Sequence, residues 1–149
     1  MRGVVQRVKR ASVEVEGNVI GEIEQGILLL LGVEDTDEEK DMEYMCDKVP
    51  NLRIFEDENG KMNKSIIDVG GQLLVISQFT LLGDARKGRR PSFTAAAVPD
   101  KAFPMYENFI KKMKDCGITT QCGEFGADMQ VELVNDGPVT ILLDSRRTF

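Results

Sequence analysis

The chain contains no histidine. That absence removes Ser-His-Asp and Cys-His catalysis outright, together with most zinc and non-haem iron sites. Any hydrolytic chemistry must therefore use carboxylates, main-chain dipoles or a group that the substrate brings. Tryptophan is also missing, and there are only three cysteines, Cys46, Cys116 and Cys122. An odd number without paired short spacing argues against a disulfide framework and a zinc knuckle, leaving buried free thiols as the expectation. No long apolar run is present: Ile27 to Leu31 is the longest and is far too short to span a bilayer. No basic leader with an apolar core and cleavage site opens the sequence, which reads as cytoplasmic and without a membrane partner.

What is present is ordinary for a globular chain: 149 residues, 42% hydrophobic and 30% charged. This length suits one domain, residues 1–149, burying roughly two thirds of its unfolded surface. The formal net charge of −6 gives no global reason to expect nucleic acid. Charge is nevertheless local. Arg86, Lys87, Arg89 and Arg90 crowd one short stretch, Arg2, Arg7, Lys9 and Arg10 lie near the start, and Arg146 and Arg147 near the end. By pattern alone such clusters read as solvated surface.

The stretch that organises the chain is Gly70 to Leu82. A glycine pair leads into Leu73-Leu74-Val75-Ile76, after which Ser77, Gln78 and Thr80 turn polar. Continuous apolar residues bounded by breakers predict a strand buried on both faces. Polar groups at its exit need partners or a task, since burying one unpaired costs roughly 1–3 kcal/mol. The expected counterpart is Asn135-Asp136-Gly137-Pro138-Val139-Thr140, read as a turn between two further strands, Met129 to Leu133 and Val139 to Leu143.

Elsewhere, residues 1–33 read as strands, with a tight turn at Gly17-Asn18. Thr36 with Glu39 predicts a capping box for a first helix whose apolar stripe is Met42, Met45, Cys46 and Val49, stopped by Pro50. Arg53-Ile54-Phe55 reads as a short strand before a turn at Asp57 to Gly60; this acidic loop lacks the ligand spacing of a calcium site. Gly83 to Pro99 is a long irregular stretch, and such loops are functional or mobile. A second helix from Asp100 places Ala102, Tyr106, Phe109, Ile110 and Met113 on one face, with Pro104 loosening its first turn and Gly117 ending it. The sum is a mixed α/β single domain: a curled, β-barrel-like sheet with two amphipathic helices packed outside.

Ser77-Gln78-Phe79-Thr80-Leu81 and Asn135-Asp136-Gly137-Pro138-Val139-Thr140 resemble the two signature motifs of bacterial-type D-aminoacyl-tRNA deacylases. Gln6-Arg7-Val8, Arg10-Ala11-Ser12-Val13, Arg90-Pro91-Ser92-Phe93 and Ala127-Asp128-Met129-Gln130-Val131 extend the likeness, in the same order, over the whole chain. The resemblance implies hydrolysis of the ester in D-aminoacyl-tRNA, and of glycine mischarged on tRNA, by a homodimer with active sites at its interface and no metal or cofactor. It implies a cis bond at Gly137-Pro138, with that dipeptide reaching into the other subunit's pocket, where its carbonyls exclude L side chains. Arg7 would brace this turn and Asn135 belongs to its motif.

The same resemblance places the chemistry at Ser77, Gln78, Phe79 and Thr80. Main-chain N–H groups around Phe79 and Thr80 would hold the oxyanion, Gln78 would orient the site, and the neighbouring ribose hydroxyl would assist the water. A rival mechanism makes Thr80 a nucleophile, but a threonine hydroxyl is feeble without a base, and only Asp136 could serve. Phe125 and Met129 would pack against the terminal adenine, with core packing the plainer alternative for Met129. The substrate reopens the basic loop: Arg86, Lys87, Arg89 and Arg90 would meet phosphates, which implies affinity that falls with salt. Two other readings stand beside this one. One is a catalytically inactive nucleic-acid-binding module of the same fold; the other is a peptidyl-tRNA hydrolase, prompted by Gly70-Gly71-Gln72 and set aside because that tripeptide leads into a strand.

Overall fold

A computed structural model describes residues Met1–Phe149. Eight strands and two helices follow in the order β1 (Arg2–Val15), β2 (Asn18–Ile23), β3 (Gly26–Gly32), α1 (Glu39–Asn51), β4 (Phe55–Glu56), β5 (Met62–Lys64), β6 (Gln72–Ser77), α2 (Pro99–Asp115), β7 (Thr120–Cys122) and β8 (Gln130–Asp144). β2, β1, β3, β6 and β7 form one sheet in that order, and β8 also pairs with β1; β4 and β5 make a separate ribbon. β3–β6 and β6–β7 are parallel, whereas every pairing of β1 is antiparallel. β2 comes back against β6 and β7, so the mixed sheet curls into a nearly closed barrel. This is the α/β architecture expected from the sequence.

Two apolar clusters explain why β3 and β6 carry unbroken hydrophobic runs. Ile27, Leu29 and Leu31 of β3, with Leu73 and Val75 of β6, pack outward beneath the helices. Leu28, Leu74 and Ile76 point the other way, into a smaller cluster with Val8, Val13 and Ile23. A strand sandwiched on both faces has no solvent side on which to place polar residues. Helix α2 docks with Ala102, Tyr106, Phe109, Ile110 and Met113 buried, the predicted face. The Tyr106 hydroxyl keeps a partner by donating to the Val75 carbonyl at 3.1 Å.

Several boundaries differ from the sequence reading. Helix α1 begins at Glu39, and its capping pair is Glu38 with Asp41, whose carboxylate accepts the Glu38 N–H at 2.8 Å; Thr36 lies outside it. Neighbouring Asp37 is instead committed to the Met1 ammonium, at 2.6 Å, and to the Glu34 N–H. Pro50 sits inside the last turn rather than ending it, because Leu52 N–H still closes on Lys48 O at 3.0 Å. Pro104 is likewise carried within α2, which runs unbroken from Pro99. The strand expected at Arg53–Phe55 comprises only Phe55–Glu56. Cys116 is exposed, against the expectation of buried thiols, while Cys46 and Cys122 are half-buried.

The largest correction concerns the end of the chain. The stretches expected at Met129 to Leu133 and Val139 to Leu143 are not two strands joined by a reversal; from Gln130 onward they belong to one strand, β8, which runs along β1 throughout, and Met129 lies just before it. Val8 faces Asn135 and Gln6 faces Thr140, so two steps of β1 are matched by five of β8. The surplus residues bulge out of the ladder, and Gly137-Pro138 forms the bulge.

Candidate active site

β6 ends at Ser77, and the next residues wind into a single 3-10 turn, Phe79–Leu82, rather than continuing the strand. Gln78 N–H donates to Leu31 O at 2.9 Å, which fastens the turn to the end of β3. This close approach depends on Gly32: a Cβ there would lie 2.9 Å from the Gln78 carbonyl oxygen and 2.7 Å from Leu82 Cδ2. The first turn-closing bond runs from Leu81 N–H to Gln78 O. The N–H groups of Phe79 and Thr80 therefore precede it, where a helical turn leaves donors without internal acceptors. Gln78 Nε2 donates to Thr80 Oγ1 at 3.0 Å.

A cleft of about 510 Å³ opens over this turn. Ser77, Gln78, Phe79 and Thr80 form one side, and Phe125 and Met129, from the segment between β7 and β8, form another. The remaining wall comes from the irregular segment and the start of α2, including Phe93, Ala96, Ala97 and Ala102. Phe93 meets Phe79 edge-to-face with centroids 5.3 Å apart, and Phe79 is left 57% exposed at the mouth. Phe125 is backed by Phe103 and Tyr106. Main-chain bonds from Asp35 N–H to Ala95 O and from Ala97 N–H to Val33 O pin the irregular segment beside β3. Sequence reasoning did not single out Ala96, Ala97 and Ala102 as lining. The available signal was a run of alanines inside a long loop, where small side chains leave space.

Arg7, Asn135, Gly137 and Pro138 form a second cluster that does not line this cleft. Asn135 Oδ1 accepts Val139 N–H at 2.9 Å, and its Nδ2 donates to Thr140 Oγ1 at 3.0 Å, closing the neck of the bulge. The Arg7 side chain, 9% exposed, donates through Nε to Asp136 O at 3.0 Å and through Nη1 to Ile54 O at 2.7 Å. Its guanidinium also lies 3.7 Å from the Asp136 carboxylate. The Gly137–Pro138 bond is cis, Gly137 has φ +132°, and both residues are exposed. Asp136 is thus turned toward Arg7 and is not part of the cleft that contains Thr80.

Arg86, Lys87, Arg89 and Arg90 are all exposed on an excursion closed by two bonds between Asp84 and Ser92. Arg86 differs from the rest, since it clamps the Asp84 carboxylate through Nε and Nη2 and holds that carboxyl well below the usual range. At Gly70-Gly71-Gln72, the Gln72 side chain accepts Glu24 N–H at 2.8 Å, so the tripeptide is bound down beside the barrel. No group of three or more His, Cys, Asp or Glu side chains clusters as metal ligands would, and no helix is long and apolar enough to cross a membrane.

The profile of the D-Tyr-tRNA(Tyr) deacylase family matches residues 4–144. Proteins named D-aminoacyl-tRNA deacylase from Clostridioides difficile and Thermosipho africanus are 60% and 58% identical over 149 residues, covering all of both chains. Among solved structures, one described as a c-Myc DNA unwinding element binding protein superposes with TM-score 0.91 at 44% identity, covering 97% of this chain and 98% of that one. A probable eukaryotic D-amino acid tRNA deacylase shares the fold at TM-score 0.82 and 16% identity, covering 96% of this chain and 98% of its own.

Proposed function

This chain belongs to the D-aminoacyl-tRNA deacylase family and is an enzyme of that class; we propose that it cleaves its ester by main-chain stabilisation in the Phe79–Thr80 cleft, with the RNA supplying the hydroxyl that assists the water. Water adds to the ester carbonyl, the oxyanion is met by the N–H groups of Phe79 and Thr80, and collapse breaks the bond to the ribose oxygen. That oxygen takes up a proton as the free amino acid departs. The observation that carries this reading is the convergence of Ser77, Gln78, Phe79, Thr80, Phe125 and Met129 on one cleft in a chain without imidazole. Phe125 and Met129 offer an apolar seat on which the terminal adenine packs. Thr80 is a positioning group here. Its oxygen faces the Gln78 amide, which is not a base, and Asp136 is held elsewhere by Arg7.

The Gly137-Pro138 bulge belongs, in this reading, to the neighbouring subunit's cleft in a homodimer. Its exposure and its separation from the cleft of its own chain support that arrangement, as does the outer edge of β8, which pairs with no strand. Carbonyls held by a backbone braced at Arg7 and Asn135 cannot change rotamer to admit an L side chain. Glycine has no side chain to reject, so glycyl-tRNA is a substrate by the same geometry. Lys87, Arg89 and Arg90 meet RNA phosphates, with Arg86 partly neutralised by Asp84. The enzyme works where charged tRNA is found, in the cytoplasm, and residues 1–149 act as one deacylase domain.

The test is single-turnover release from D-tyrosyl-, L-tyrosyl-, glycyl- and peptidyl-tRNA. Cleavage of the first and third with sparing of the other two is expected. Thr80→Ala should retain activity within about tenfold, whereas complete loss with intact tRNA binding would overturn the substrate-assisted route. Release from none of the four substrates, with tRNA still bound, would instead favour a catalytically inactive nucleic-acid-binding module.

A further inference from the structure

Met129 enters the cleft from an unusual support. The chain leaves β7 at Cys122, and Gly123 N–H donates to Val75 O at 3.2 Å, which keeps Gly123 on the edge of β6. A turn closed by Ala127 N–H on Glu124 O then brings the chain back, so that the Met129 thioether rests on Gly123. A Cβ on Gly123 would lie 2.5 Å from Met129 Sδ and 3.2 Å from Ile76 Cδ1. Ile76 is 3% exposed and Val13, the next neighbour, is fully buried, so neither can retreat.

We propose that Gly123 is a positioning residue: its missing side chain is the recess that holds Met129 back and so sets the depth of the apolar seat in the cleft. This rests on the reading that the seat takes the terminal adenosine of the tRNA. With alanine at this position, Sδ must move by about 1 Å to regain ordinary contact, and the cleft that Met129 lines offers the space. The thioether then occupies space the base requires. The effect falls on substrate binding, because the turn bearing Phe79 and Thr80 is anchored separately through Leu31 and Gly32.

The experiment is a two-by-two comparison of Gly123→Ala in the natural and Met129→Val backgrounds, with steady-state kinetics on D-tyrosyl-tRNA and thermal denaturation of each protein. In the natural background KM is expected to rise about tenfold with kcat unchanged within about twofold. In the Met129→Val background, where the displaced thioether no longer exists, the same substitution should move KM by less than about twofold. An unchanged KM in the first background, an equal rise in both, a fall in kcat alone, or a Gly123→Ala chain that does not fold would each overturn the inference. The last would mean that Met129 cannot yield toward the cleft. Phe125→Ala separates this outcome from the underlying reading. If that substitution leaves KM untouched, the adenosine seat is refuted whatever the Gly123–Met129 coupling proves to be.

Discussion

At the scale of single residues, the chemistry is governed by what surrounds each group. Cys46 illustrates this. Burial against the core pushes its thiol up to about 11, with Cys116 and Glu43 adding to the shift and Lys112 opposing it. Cys116, at the end of α2, is exposed. Because the thiolate is the nucleophile, iodoacetamide at about pH 8 should modify Cys116 well before Cys46, read by peptide mass spectrometry. The same displacement has a consequence for stability. A folded pKa above the unfolded one contributes stability that is complete below the ordinary thiol value and is lost as pH rises through about 11. Urea midpoints should therefore fall between about pH 9 and 11, and Cys46→Ala should flatten that fall. An unchanged slope in the variant would assign the pH dependence to other groups.

At the scale of elements, the proposed function rests on the 3-10 turn held to the end of β3. Gly32→Ala would bring a methyl group against the Gln78 carbonyl and Leu82, so the turn must move a few tenths of an ångström while the barrel remains. The expected result is a kcat loss of about tenfold or more with a stability cost of roughly 1–3 kcal/mol, the range for overpacking, measured by single-turnover kinetics and urea unfolding. Full activity would mean that the turn's position is not critical. This element was only partly legible in the sequence. The buried runs of β3 and β6 and the apolar face of α2 announced themselves through periodicity, since a core imposes its pattern on the residues that fill it. The 3-10 turn did not, because Phe79, Leu81 and Leu82 continue the apolar strand pattern past Ser77. Nor did the single passage of β8: Asn-Asp-Gly-Pro carries strong turn chemistry, and local composition cannot distinguish a reversal from a bulge between two segments that pair with the same neighbour. The cleft wall at Ala96 and Ala97 was hidden for a different reason. Small residues leave space only where another element approaches, and here that element is α2.

At the scale of the whole molecule, the cleft and the Gly137-Pro138 bulge are separate features of one chain, although the proposed function needs them to act together. The proposed homodimer joins them in trans, and this makes a prediction that a purely local mechanism does not. Ala96→Phe fills the cleft and leaves the bulge intact. Gly137→Ala leaves the cleft intact but forces an L residue to φ +132°, with its Cβ 2.8 Å from Val139 Cγ2 and 3.1 Å from Arg7 Nη2, and so distorts the bulge. Each variant alone should lose at least tenfold in D-tyrosyl-tRNA turnover. When the two are co-expressed and subunits mix at random, half the dimers are heterodimers. Each heterodimer contains one site built from an unfilled cleft and an undistorted bulge, so about a quarter of the wild-type site number returns. If both features acted within one chain, every site in the mixture would carry one defect and no activity would reappear. Recovery on mixing, with sedimentation confirming that the mixed species are dimers, is the outcome that an active site shared between subunits requires.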